Sequence, residues 1–232
     1  MFDRPSPTKI NDIPPPVDFF NDSEFNRLAL EVVRNNLLFP ETVDVLLQKV
    51  SCFQGGNKED SQDLGTSFEE YERLAILDSI SRTIGGDVEL AQQIDAILFF
   101  DRSYGTLTKT VSTGVFGIRN DGKNFIGICK GYAYDSAPQN TTNIVEYLSF
   151  AASHETQHFK QWSEKRLDLG IMSEIHQHDQ QGAISYQNSL PTPGVIKAIN
   201  QLHVEEGVGH PLESEAQNKA IEVFSQMTYL HV

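Results

Sequence analysis

Two cysteines, one tryptophan, and 18 basic residues against 32 acidic ones bound this 232-residue chain before any motif is read. Cys52 and Cys129 are too few for a disulfide framework and show no zinc spacing to each other, so both are read as reduced thiols. The net charge of −14, with no Lys/Arg cluster, argues against nucleic acid and anionic membrane as partners, because both are bound through grouped cations. Long apolar runs are also missing. The longest, Ala96-Ile97-Leu98-Phe99-Phe100, falls far short of the roughly 18 residues that cross a bilayer. The first 20 residues lack the apolar stretch of a signal peptide, so a soluble location is expected, in the cytoplasm or within an assembled particle.

What is present divides into three stretches. Residues 1–20 carry Pro5, Pro7, Pro14, Pro15 and Pro16 and read as an extended arm, since proline fixes φ and removes a backbone donor. Such an arm has little to order it on a solitary chain. It is expected to dock Ile10, Ile13, Phe19 or Phe20 on a partner in a homo- or hetero-oligomeric assembly. Residues 21–93 form a helical lobe, with apolar residues at three-to-four spacing over 23–38, 41–50, 68–84 and 88–93 and a stop at Gly85-Gly86. Residues 94–232 form the third part. It opens on a short strand over 94–100, followed by two β-rich runs around Asn120-Asp121-Gly122, a strong hairpin signal.

The chemistry centres on His154-Glu155-Thr156-Gln157-His158. Asn143 with Glu146 three residues on resembles a capping box, and Ile144, Leu148, Ala151, Phe159 and Trp162 recur at helical spacing, so a helix is expected over about 143–166. Residues four apart share a face, which lets both imidazoles close on one metal. Glu155, roughly 100° round, can address a water beside it. The bland alternative is a core helix whose two histidines only form hydrogen bonds or face solvent.

Catalytic zinc usually takes three protein ligands. A third histidine six residues after His158 is excluded, because that position is Glu164, and the following stretch to Gly170 supplies none. His176 and His178, two apart, face opposite ways on any regular element and read as surface residues. A second helix is expected from Pro211, with Leu212, Ala216, Ala220, Val223, Phe224 and Met227 as its buried stripe and Glu213 and Glu215 in its first turn. Glu215 lies roughly 200° round from Glu213, so the two cannot serve the same centre. An acidic first turn stabilised by the helix dipole is the plain reading of both.

These residues resemble the gluzincin metallopeptidases, the thermolysin-like group, over about 95–227, with only the five-residue motif being specific. The resemblance implies an α+β, zincin-like fold: a small mixed sheet with an edge-strand hairpin, packed on the motif helix and a Glu-bearing second helix, beside the N-terminal helical lobe. It implies Zn2+ held by His154, His158 and Glu213, with Ala216 at the family's small position. Gln217 stands where the family has Asp or Asn, orienting His154. Glu155 would be the base that takes a proton from the zinc-activated water and returns it to the leaving amine. Strand 114–119, with Val115, Phe116, Gly117 and Ile118, would pair with an extended peptide or protein substrate. An oxyanion donor is also required, with Tyr132, Tyr134, Tyr186, His203 and His210 as candidates. The competing reading keeps the fold but drops catalysis, making the chain a structural or binding component of a large assembly such as a phage virion or tail.

Overall fold

β-branched and aromatic residues around one tight turn organise the sheet in the computed structural model, which describes residues 22–51, 68–100, 113–119, 121–130, 144–168 and 211–230. Strands β3, Gly114–Ile118, and β4, Asn124–Cys129, pair antiparallel as the expected hairpin. Between them Gly122 sits at φ +80 and donates its N–H to Arg119 O at 2.9 Å, a conformation that L side chains resist. Strand β2, Ala96–Phe100, runs parallel to β4, and the two-residue β1, Val50–Ser51, runs parallel to β2. The order is β1-β2-β4-β3, so β3 is an edge of this four-stranded mixed sheet.

Six helices accompany the sheet among the described residues: α1, Asp22–Asn35; α2, Pro40–Leu47; α3, Glu70–Thr83; α4, Val88–Gln92; α5, Ile144–Ser163; and α6, Pro211–Gln226. The architecture is thus mixed α+β. Helix α2 stops three residues short of Val50, which instead pairs with Ile97 in the sheet. The strand expected from residue 94 begins at Ala96. Asp95 is occupied in side-chain bonds with Asn124, whose backbone N–H donates to Asp95 Oδ2 at 2.9 Å. The arm at residues 1–20 lies outside the described residues.

Helix α5 is the hub. It packs on α6 and α3 on its flanks and on β3 and β4 through its sheet-facing side. Phe116 from β3 sets its ring 6.1 Å from both Phe159 and Trp162 of α5. Leu148, Ala152 and Phe159 have no exposed surface, and they join a single cluster of buried apolar residues that runs from Val33 to Leu230. Burying Leu148 and Phe159 contributes about 1.5–3 kcal/mol each, which ties the motif helix to both halves of the chain.

Candidate metal centre

His154 and His158 lie one turn apart on α5, and Glu213 enters from the first turn of α6. That helix starts at Pro211, whose missing N–H costs nothing at a first position. Ala216 and Ala220 are fully buried on the same helix as Leu212 and Val223, and their small side chains allow close helix packing. The result is a triangle of donors. Glu213 Oε1 is 3.0 Å from His154 Nε2, Glu213 Oε2 is 3.0 Å from His158 Nε2, and the two Nε2 atoms are 3.1 Å apart.

A tetrahedral zinc with donors at about 2.0–2.1 Å sets neighbouring donors roughly 3.3–3.4 Å apart. The observed triangle is only slightly tighter, and two imidazoles with one carboxylate form a donor set suited to zinc, so the residues fit the ion. Electrostatics agree. Burial alone would raise the Glu213 carboxyl, but the attraction of His154 and hydrogen bonds from both histidines hold it well below the ordinary carboxylate value. Glu213 is therefore an anion paired with the ring N–H groups, whose protons a metal would replace.

Glu155 projects to the side, toward the sheet. Its Oε2 accepts the Phe116 N–H at 2.7 Å. Cross-strand bonds join residue 113 to Cys129 of β4 and residue 119 to Lys123, so by the two-residue alternation of an antiparallel pair Phe116 turns its N–H outward, away from β4 and to the sheet edge among the described residues. Val115, Gly117 and Ile118 are half-buried along the same edge strand, whereas Phe116 is buried on α5.

Comparison of the chain with family models, curated proteins and solved structures finds no match.

Glu215, the alternative third ligand, is engaged elsewhere. Gln157 Nε2 donates to its Oε1 at 2.8 Å, and Arg166 grips both oxygens, at 3.0 Å on Oε1. Hydrogen bonding to Arg166 holds this carboxyl below its ordinary value. Arg166 reaches it because Lys165 takes φ 59, the left-handed conformation that ends helices, which turns the chain back toward α6. Gln217 Nε2 donates to Glu213 Oε1 at 3.4 Å, so its described bond supports the carboxylate rather than the imidazole of His154.

Two participants were not anticipated. Gln161 is fully buried between His158 and α6, with its amide bonded to His158 Nδ1 and Leu212 O. A polar residue three positions after His158 on an otherwise buried face was the available signal. Arg166 had none, because its reach depends on how the helix ends. Tyr132, Tyr134, Tyr186, His203 and His210, together with His176 and His178, lie outside the described residues.

Proposed function

We propose that this protein is a zinc-dependent, gluzincin-like hydrolase of peptide bonds, with His154, His158 and Glu213 as ligands and Glu155 as general base. The observation that carries this reading is the convergence of one donor atom each from His154, His158 and Glu213 within 4.8 Å, from two helices, beside a carboxylate at the intervening motif position. Zinc bound there supplies a Lewis acid that polarises a carbonyl and lowers the pKa of water.

The chain's own residues divide the remaining work. Glu155 holds Oε2 against the Phe116 N–H, which leaves Oε1 to accept a proton from water and deliver it to the departing amine. The outward carbonyls of Gly114 and Phe116 on the β3 edge offer acceptors to an extended peptide, which would lie alongside Glu155. Gln217 keeps Glu213 aimed at the histidines.

Elemental analysis tests this directly. The parent should carry one zinc per chain, His154→Ala and Glu213→Ala should carry none, and Glu155→Gln should keep zinc while losing turnover of unfolded protein by about 10²–10⁴. Equal metal in parent and both alanine variants, or none in the parent, would overturn the site.

A second reading, an assembly component, is favoured by one observation. Phe25, Leu28 and Val32 are exposed at 52 %, 39 % and 42 % along one face of α1, the helix that follows the arm. Under that reading Glu155→Gln has no phenotype, and removing residues 1–17 leaves zinc content intact while lowering the assembly mass measured by sedimentation.

A further inference from the structure

We propose that Gln161 is a positioning residue that sets the ring orientation and tautomer of His158 and ties it to the chain segment delivering Glu213. Gln161 has no exposed surface. Its amide makes two bonds of 2.9 Å, one between Oε1 and His158 Nδ1 and one from Nε2 to Leu212 O.

The chemistry of the partners determines which end of the amide faces which way. A peptide carbonyl only accepts, so the NH2 of Gln161 has to face Leu212. The amide oxygen is then left for His158, and because it also only accepts, His158 Nδ1 must carry the proton. When a metal displaces the proton that Nε2 shares with Glu213, the lone pair falls on Nε2. That is the atom 3.0 Å from Glu213 Oε2 and 3.1 Å from His154 Nε2, facing the donor triangle.

The second bond acts on the other helix. Leu212 immediately precedes Glu213, so the buried amide holds α6 at the point where the ligand leaves the backbone. One side chain therefore couples two donors 55 residues apart in sequence. Satisfying both ends of a buried amide also explains why a polar residue is accommodated beside Leu212, where Glu215 is a further polar neighbour.

The inference rests on the metal-centre reading for its consequence, but the ring orientation can be measured with or without metal. Gln161→Met keeps length and volume and removes both bonds. Gln161→Glu keeps the acceptor for Nδ1–H and removes the donor to Leu212 O. Zinc affinity is read by competition with a chromophoric chelator, and the His158 Nδ1 proton by NMR of the zinc-loaded protein. We expect Gln161→Met to weaken zinc by about 10–100-fold and to lose the protected Nδ1 proton to solvent exchange. Gln161→Glu should retain the resonance and bind zinc within a few-fold of the parent, while melting at a lower temperature.

If both variants melt earlier yet keep parental zinc affinity and the Nδ1 resonance, Gln161 is only packing and the proposal fails. It also fails if Gln161→Glu loses zinc as severely as Gln161→Met. Should the methionine variant not fold, the glutamate variant decides alone, since loss of its Nδ1 signal contradicts the assignment. If the parent takes up no zinc, the metal reading falls. The Gln161 assignment is then judged on the metal-free protein, where the Nδ1 proton should be protected in the parent and exposed in Gln161→Met.

Discussion

Glu155 and Phe116 are joined by a 2.7 Å hydrogen bond from the backbone N–H of an edge strand to the carboxylate of the motif helix. The contact couples the candidate base to the same strand edge that would receive a peptide. It is possible because residue 114, the preceding inward position on β3, has no side chain: a Cβ there would stand 2.7 Å from Glu155 Cγ and 3.3 Å from Ala151 O.

Gly114→Ala should therefore displace Glu155, since the Ala151 carbonyl belongs to helix backbone and cannot yield. Overpacking of this kind costs about 1–3 kcal/mol. We expect a lower melting temperature, unchanged zinc content and turnover reduced toward that of Glu155→Gln. Parental turnover in this variant would separate Glu155 from catalysis.

Chelation offers an independent check on the centre. An ion that binds only the folded state stabilises it by about 2.7 kcal/mol when present at 100 times its dissociation constant. Adding a chelator should lower the melting temperature of the parent and leave that of Glu213→Ala unmoved. Glu215→Ala should respond like the parent, because its carboxylate is held by Arg166 and Gln157 away from the histidines.

Deep in the fold, Lys130 Nζ meets Glu72 Oε2 at 2.5 Å with side-chain exposures of 8 % and 3 %. Glu72 also accepts the Glu69 N–H that opens α3, at 2.9 Å. Removing one partner strands a buried charge, so Lys130→Met should cost about 3–5 kcal/mol in chemical denaturation. The double variant Glu72→Leu/Lys130→Met should recover much of that loss. A single-variant cost under about 1 kcal/mol would mean that water reaches the pair.

At the C-terminal end, the Tyr229 hydroxyl donates to Asp78 Oδ2 at 2.6 Å, beside the Arg82–Asp78 pair at 2.7 Å. Burial and the Asp78 charge raise the phenol above its ordinary value of 10.0, against the weaker opposing pull of Arg82. A raised folded-state pKa gives stability that is full below the unfolded value and is lost as pH climbs from there through the folded one. Tyr229→Phe should cost about 1.5–3 kcal/mol at neutral pH, as for a hydrogen bond to a charged group. The parent's advantage over this variant should stay level to about pH 10 and shrink above it. A difference that already narrows between about pH 7 and pH 10 would contradict the assignment.

Local pattern made the motif helix, the hairpin and the α6 start legible in the sequence. Helical periodicity around residues 154–158, Asp121-Gly122 between β-rich runs and Pro211 before an apolar stripe each encode structure through neighbours within a few positions. The spacing of His154 and His158 already implied a shared face. Two-residue β1 could not be read, because its only period is the partner Ile97, 47 positions along the chain by register. The parallel pairing of β2 with β4, and hence the edge position of β3, is equally non-local.

The sequence alone thus determined the helices and the pair of histidines, since backbone geometry sets which side chains share a face. It left Glu213 and Glu215 as rivals, because the apolar stripe gives the buried face of that helix but not which neighbour each flanking carboxylate meets. Packing decides it: α6 lies along α5, so Glu213 meets His154 and His158 while Arg166, past the end of α5, captures Glu215. Gln161 and the Glu155–Phe116 bond belong to the same level of organisation: each joins groups distant in sequence, and no periodicity of the chain records them.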